Sequence, residues 1–217
     1  MNRFLNPDST PMRFMASLGD LILLNLLWLI TSLPVFTIGA STAALYSVLI
    51  EFDARVIHDS STICRYLKDF CSNFRQATLI FLMLALPMAI LVLDILGAAA
   101  GLLQFSGLWL ILLILPGLIW CILWSYSFPM LAVFENSIRQ TLKNLLLIAL
   151  SHPLATLVIC GLNLLPAGLF LFLPGVFLRA LPFWLFLGFA LIAKANSILL
   201  GQIFSCYAPS ASDHTDR

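Results

Sequence analysis

Charge is what this sequence has least of. Only 10% of its 217 residues are Asp, Glu, Lys or Arg, against 61% hydrophobic, and the mean hydropathy is +1.03. Soluble domains carry about 25% charged and about 45–50% apolar residues. This chain cannot cover a water-facing surface, so a soluble enzyme is excluded. The formal net charge of +1 leaves no basic field for nucleic acid. Histidine is also scarce: His58, His152 and His214 have no ligand partner near them in sequence. There is no H-E-x-x-H and no Walker A loop, so intramembrane metalloprotease and ATPase chemistry lack their motifs. Ser151-His152 has no positioned acid or nucleophile to make a triad. The chain is therefore expected to be non-enzymatic, without a metal or cofactor.

Cysteine is sparse too. Cys64, Cys71, Cys121, Cys160 and Cys206 are odd in number, scattered and free of C-x-x-C spacing, so they read as thiols without a disulfide framework. A cleaved leader is not expected, because the first apolar run, Phe14 to Phe36, exceeds the usual core of about 7–15 residues.

What the sequence has is long uncharged stretches. From Gln76 to Phe134 the only charge is Asp94, and from Asn144 to Ser212 the only charges are Arg179 and Lys194. A bilayer crossing takes about 20 apolar residues in helix, so each stretch holds two spans and Phe14–Phe36 adds a fifth. Thr37 to Phe52 is shorter, reaching roughly 24 Å at about 1.5 Å per residue, a mismatch that packing or bilayer thinning absorbs. The positive-inside rule favours counting it. With six spans and both termini inside, Arg3, Arg13, Arg55, Arg65, Lys68, Arg75, Arg139, Lys143 and Arg217 share the cytoplasmic side, and Arg179 alone lies outside. The expected fold is all-α: one polytopic membrane domain over 1–217, with spans at about 15–36, 37–52, 77–99, 107–128, 146–172 and 180–204. Trp109 and Trp184 fall near outer ends, and Trp124, Tyr126 and Tyr207 near inner ends, as an interfacial belt requires. Trp28 and Trp120 lie deeper and read as packing residues.

Two cytoplasmic connectors read as amphipathic surface helices. In Ser61–Gln76, Ile63, Leu67, Phe70 and Phe74 recur at helical spacing opposite Arg65, Lys68, Asp69 and Arg75. In Leu131–Asn144, Leu131, Phe134, Ile138 and Leu142 do so opposite Glu135, Arg139 and Lys143. Each leads into a span with a proline, Pro87 or Pro153, which suggests a parallel internal repeat.

The run Asn25-Leu26-Leu27-Trp28, then Leu33-Pro34-Val35, Thr37-Ile38-Gly39 and Thr42-Ala43-Ala44-Leu45-Tyr46, resembles the YesL family of bacterial membrane proteins. Asn73-Phe74-Arg75-Gln76-Ala77-Thr78 is similar to that family's second characteristic stretch, and the resemblance is densest from about Asp20 to Leu84. Ala40 departs from the pattern, since relatives often carry proline after the T-I-G triplet. The resemblance implies a multi-pass protein of the bacterial cytoplasmic membrane with no established activity. It also implies a supporting role beside sugar ABC importers, by association rather than mechanism.

The motif has its own physics. Pro34 removes a backbone donor and disfavours helix before it, and Thr37 can cap the helix that follows. Gly39, Ala43 and Ser47 recur every four residues as a smooth stripe that lets another helix approach closely. This reads as an architectural motif, with a solute path as the other reading.

Charges in hydrocarbon cost about 2.5–3.5 kcal/mol on the insertion scale and need a partner, a cavity or an interface. Asp20 lies near the cytoplasmic end of the first span and Lys194 roughly 15 Å deep in the last, with a stem long enough to reach toward the interface. The two can pair, with Asn25 and Asn196 as neighbours. Asp94 and Arg179 form a candidate outer pair. The expected function is an accessory or regulatory component linked to carbohydrate uptake, with the lipid bilayer and a sugar ABC importer or another membrane protein as partners. The alternative is a small-solute secondary transporter, alone or as a homo-oligomer, using Asp20, Asn25, Lys194 and Asn196 as its polar site.

Overall fold

The computed structural model describes residues 10–52, 61–101, 107–134 and 138–205, and every described element is helical. Helix α1 (Thr10–Thr31) ends in a turn at Pro34, followed by one 3-10 turn (Val35–Thr37) and α2 (Ile38–Phe52). Next come α3 (Ser61–Ala99), α4 (Gly107–Val133), α5 (Ile138–Ser151) and α6 (Pro153–Phe172). Two short pieces, α7 (Pro174–Arg179) and α8 (Leu181–Phe183), lead into a π-helical turn (Trp184–Gly188) and then α9 (Phe189–Ser205).

Among the described residues, four helical stretches are long and apolar enough to cross a membrane: Thr62–Gly97, Ile114–Val133, Pro153–Phe172 and Leu181–Phe204. Met15–Thr31 and Val35–Ile50 are shorter apolar helices. Large apolar side chains stand open on the outside, among them Leu86 at 70% exposure, Leu154 at 82% and Phe172 at 84%. Soluble monomers rarely present contiguous apolar surface on that scale. The outside is built for hydrocarbon.

The core sits around α2. Ala40, Ala43 and Ala44 are fully buried, with Leu45, Val48 and Leu49 beside them. They pack on Tyr66, Ala77, Ile80 and Phe81 of α3 and on Phe128 and Met130 of α4. A Cβ on Gly39 would lie 2.6 Å from the Ala77 carbonyl, 2.8 Å from Phe81 Cβ and 2.9 Å from Phe128 Cε1. Only glycine lets the two backbones approach this closely. Ser47 extends the same stripe and donates to Asp69 Oδ2 at 2.6 Å. The stripe is therefore the seam between α2 and α3, and the buried Ala40 fits in it without proline.

The turn before α2 is closed differently from the expectation. Thr37 does not offer its oxygen to the helix N-terminus; its hydroxyl donates to the carbonyls of Thr31 (2.5 Å) and Pro34 (2.6 Å). Burial of Thr37 makes those turn carbonyls the acceptors that most need a donor.

Several boundaries also move. Segment 61–76 is not a separate connector but the first four turns of α3, because no breaker lies between it and the apolar run; Pro87 falls well inside the helix. The second connector divides: Leu131 belongs to α4, residues 135–137 lie outside the described residues, and α5 runs on to Ser151. His152, at φ −127° and ψ 65°, then breaks the expected 146–172 span, and Pro153 opens α6 at a position where a missing N–H costs nothing. Pro87 and Pro153 thus play different parts, one within a helix and one starting it, and do not mark equivalent places in a repeat. Trp28 and Trp120 are packing residues as expected, their indole N–H groups bonded to Thr42 Oγ1 and the Leu84 carbonyl. Trp124 and Tyr126 are engaged within the bundle. Trp124 stacks on Trp120 and meets Phe128 edge to face, and Tyr126 is buried with its hydroxyl 2.8 Å from Thr156 Oγ1. A partner for the phenol removes its need for the headgroup region. Trp184 is buried as well, stacked on Phe177. Arg3, Arg55, His58, Cys206, Tyr207, His214 and Arg217 lie outside the described residues, as do the side chains of Arg13, Trp109 and Arg139.

Candidate functional site

Asn25 is fully buried on α1 and faces the π turn. Its amide nitrogen donates to the carbonyls of Trp184 (3.2 Å) and Leu185 (2.7 Å), and its oxygen accepts from the backbone N–H of Ala190 at 2.8 Å. A π turn displaces the regular i→i−4 ladder and leaves backbone groups to be satisfied otherwise. The carboxamide lies between the Leu185 carbonyl and the Ala190 N–H like an inserted peptide group. Gly188 belongs to the same device, since a Cβ there would collide with the Trp184 ring.

Asn196 is also fully buried but belongs to another cluster. Its amide nitrogen donates to Tyr46 Oη at 3.2 Å and to Asn163 Oδ1 at 2.9 Å, and Asn163 in turn donates to Ser125 Oγ at 3.0 Å. Cys121 and Cys160 lie beside Ser125 and beside each other. This network ties α2, α4, α6 and α9 together through neutral groups alone. It borders a cavity of about 270 Å³ whose wall includes Trp28, Thr42, Tyr46, Trp124, Asn163 and Phe189.

Of the four residues proposed as one polar site, Asn25 and Asn196 fall in different hydrogen-bond groups. Asn25 serves the π turn and Asn196 serves the neutral network. Asp20 on α1 and Lys194 on α9 are both half-buried, and neither is without a partner. Asp94 is half-buried on α3, Arg179 is exposed at the end of α7, and among the described residues no ion pair joins them. Sequence reasoning missed Asn163, Ser125 and Tyr46. Asn163 carried a legible signal, as the only amide in the apolar run of α6. Tyr46 stood out only as part of the family-like run Thr42–Tyr46, and Ser125 carried no signal, being an ordinary helix residue until packing assembles the network.

Taken together, the exposed apolar girdle and the buried neutral network define an all-helical membrane protein. Residues 21–95 match a family model described as a protein of unknown function, DUF624. That match covers α1 from Leu21, the α2 seam and most of α3. No curated protein and no solved structure matches the chain.

Proposed function

We propose that this protein is a six-span component of the bacterial cytoplasmic membrane with both termini inside, and that it is a non-enzymatic accessory or regulatory partner of carbohydrate uptake by an ABC-type importer. The observation that carries the choice of accessory over carrier is the engagement of Asn25. Its two donors and its oxygen are all bonded to backbone, so the deepest amide of α1 serves packing rather than a solute. The link to carbohydrate rests on the resemblance of Asn25–Tyr46 and Asn73–Thr78 to the YesL family.

In the six-span layout α1 and α9 run in opposite directions. Counting from the Asn25–Ala190 joint, Asp20 and Lys194 then lie about 6–8 Å along their helices on the same, cytoplasmic side. A structural pair at that level suits a charge kept near the interface. The natural cysteines test the layout: Cys64 and Cys71 are exposed on the first turns of α3. A membrane-impermeant maleimide is expected to label them in inverted vesicles and not in intact cells; labelling from outside intact cells overturns the six-span arrangement. The accessory role is tested by co-purification with a sugar permease and by flux. Liposomes holding only the purified chain are expected to take up no more solute than empty ones, and saturable uptake would establish the secondary transporter instead.

A further inference from the structure

The cavity bounded by α1, α2, α4, α6 and α9 has a wall whose chemistry specifies an occupant. Two indoles and a phenyl ring, Trp28, Trp124 and Phe189, supply flat apolar faces. Among the described residues no Asp, Glu, Lys, Arg or His lines it. A charged guest would lose its hydration with nothing opposite in sign to replace it. The guest must be neutral.

The polar atoms on the wall are incompletely matched. Tyr46 Oη accepts from Asn196, and its own proton has no acceptor among the described residues. Asn163 directs one amide hydrogen to Ser125, and the second has no acceptor there either. Behind them Asn196 Oδ1 is buried without any hydrogen-bond partner. Buried polar groups are rarely left unpaired, and each unmade bond has a real cost. Two donors without acceptors, next to aromatic faces, call for a guest carrying oxygen acceptors on a flat body. At about 270 Å³ the space exceeds that of a single bridging water, about 30 Å³. It falls below the drug-sized range of roughly 300–1,000 Å³. One ring fits. Of the wall residues, Ala167 is exposed and marks the mouth.

We infer that this cavity binds one uncharged ring compound bearing oxygen acceptors, held against the wall of Trp28, Trp124 and Phe189 and hydrogen-bonded by Tyr46 and Asn163. Such a molecule can enter from water as a cyclic polyol or from the bilayer as a quinone, and the two routes are separable by experiment. The full chain in lipid nanodiscs is titrated calorimetrically with myo-inositol and, separately, with menadione, subtracting protein-free nanodiscs. Saturable one-to-one binding of inositol assigns the aqueous source, and of menadione the membrane source. The bound probe is expected to be held about tenfold more weakly by Tyr46→Phe, which keeps the ring and loses only the donor. Ala167→Phe fills the mouth from an exposed position without touching the network, and is expected to abolish binding while the protein still elutes as a folded species. If neither probe saturates, or if Ala167→Phe binds as the native chain does, the inference is overturned.

Discussion

The two halves of α3 lie on one continuous helix and are stabilised in opposite ways. From Tyr66 to Phe81 the helix lies under α2, with Tyr66 and Ala77 fully buried. From Leu82 to Leu96 it projects large apolar side chains outward, Leu93 at 67% exposure and Leu96 at 59%. Hydrophobicity does not separate the halves, because hydrocarbon solvates leucine as well as a protein interior does. Close backbone approach and paired polar groups do separate them, and these are the terms that hold helices together in lipid.

The contrast can be broken most forcefully at Gly39→Val. Its Cβ would meet the Ala77 carbonyl, a backbone atom that cannot swing aside. A destabilisation of about 3 kcal/mol or more is expected, seen as loss of the monodisperse peak in fluorescence-detected size exclusion. Wild-type recovery of that variant would mean the seam is looser than described. Asn25→Leu comes next. It strands the Ala190 N–H and removes both donors from the π turn, with an expected cost of about 2 kcal/mol and a lowered thermal midpoint in detergent. Ser47→Ala removes a single bond to Asp69 and is expected to cost about 1 kcal/mol by the same assay. Leu86→Ala sharpens the comparison from the other side. Leu86 is 70% exposed, so truncation leaves no cavity, and its midpoint should shift by no more than about 0.5 kcal/mol equivalent. A shift as large as that of Asn25→Leu would show that this half of α3 packs against something in the membrane.

The same distinction explains what the sequence made legible. The α2 seam could be read directly, because Gly39, Ala43 and Ser47 at four-residue spacing are themselves the contact surface. Helical class and membrane setting followed from the scarcity of charge. Asn25 was legible as a buried polar group, but its partner was not. Its bonds go to the backbone of Trp184, Leu185 and Ala190, and backbone carries no residue signature. The π turn itself arises in Trp-Leu-Phe-Leu-Gly, a run with nothing to distinguish it from an ordinary apolar helix. Asn196 was likewise flagged while Ser125 and Asn163 were not, and Tyr46 entered only as part of the family-like run, because a four-helix network is set by tertiary register. The Thr37 hydroxyl shows the limit at its smallest scale: the residue was identified, and only the turn geometry decided which oxygens it would serve.

The π turn also sets the angular phase of everything that follows it. A residue occupies about 100° of helical rotation, and a π turn absorbs one more residue than an α turn does. Asn196, Ser197 and Leu200, all buried, face inward only because that extra residue has already been counted. Shortening Trp184–Gly188 by a single amino acid would swing the rest of α9 by more than a quarter circle and point Asn196 toward lipid. The five-residue stretch behaves as a clutch between the two ends of the last span, and its length is constrained more tightly than its composition.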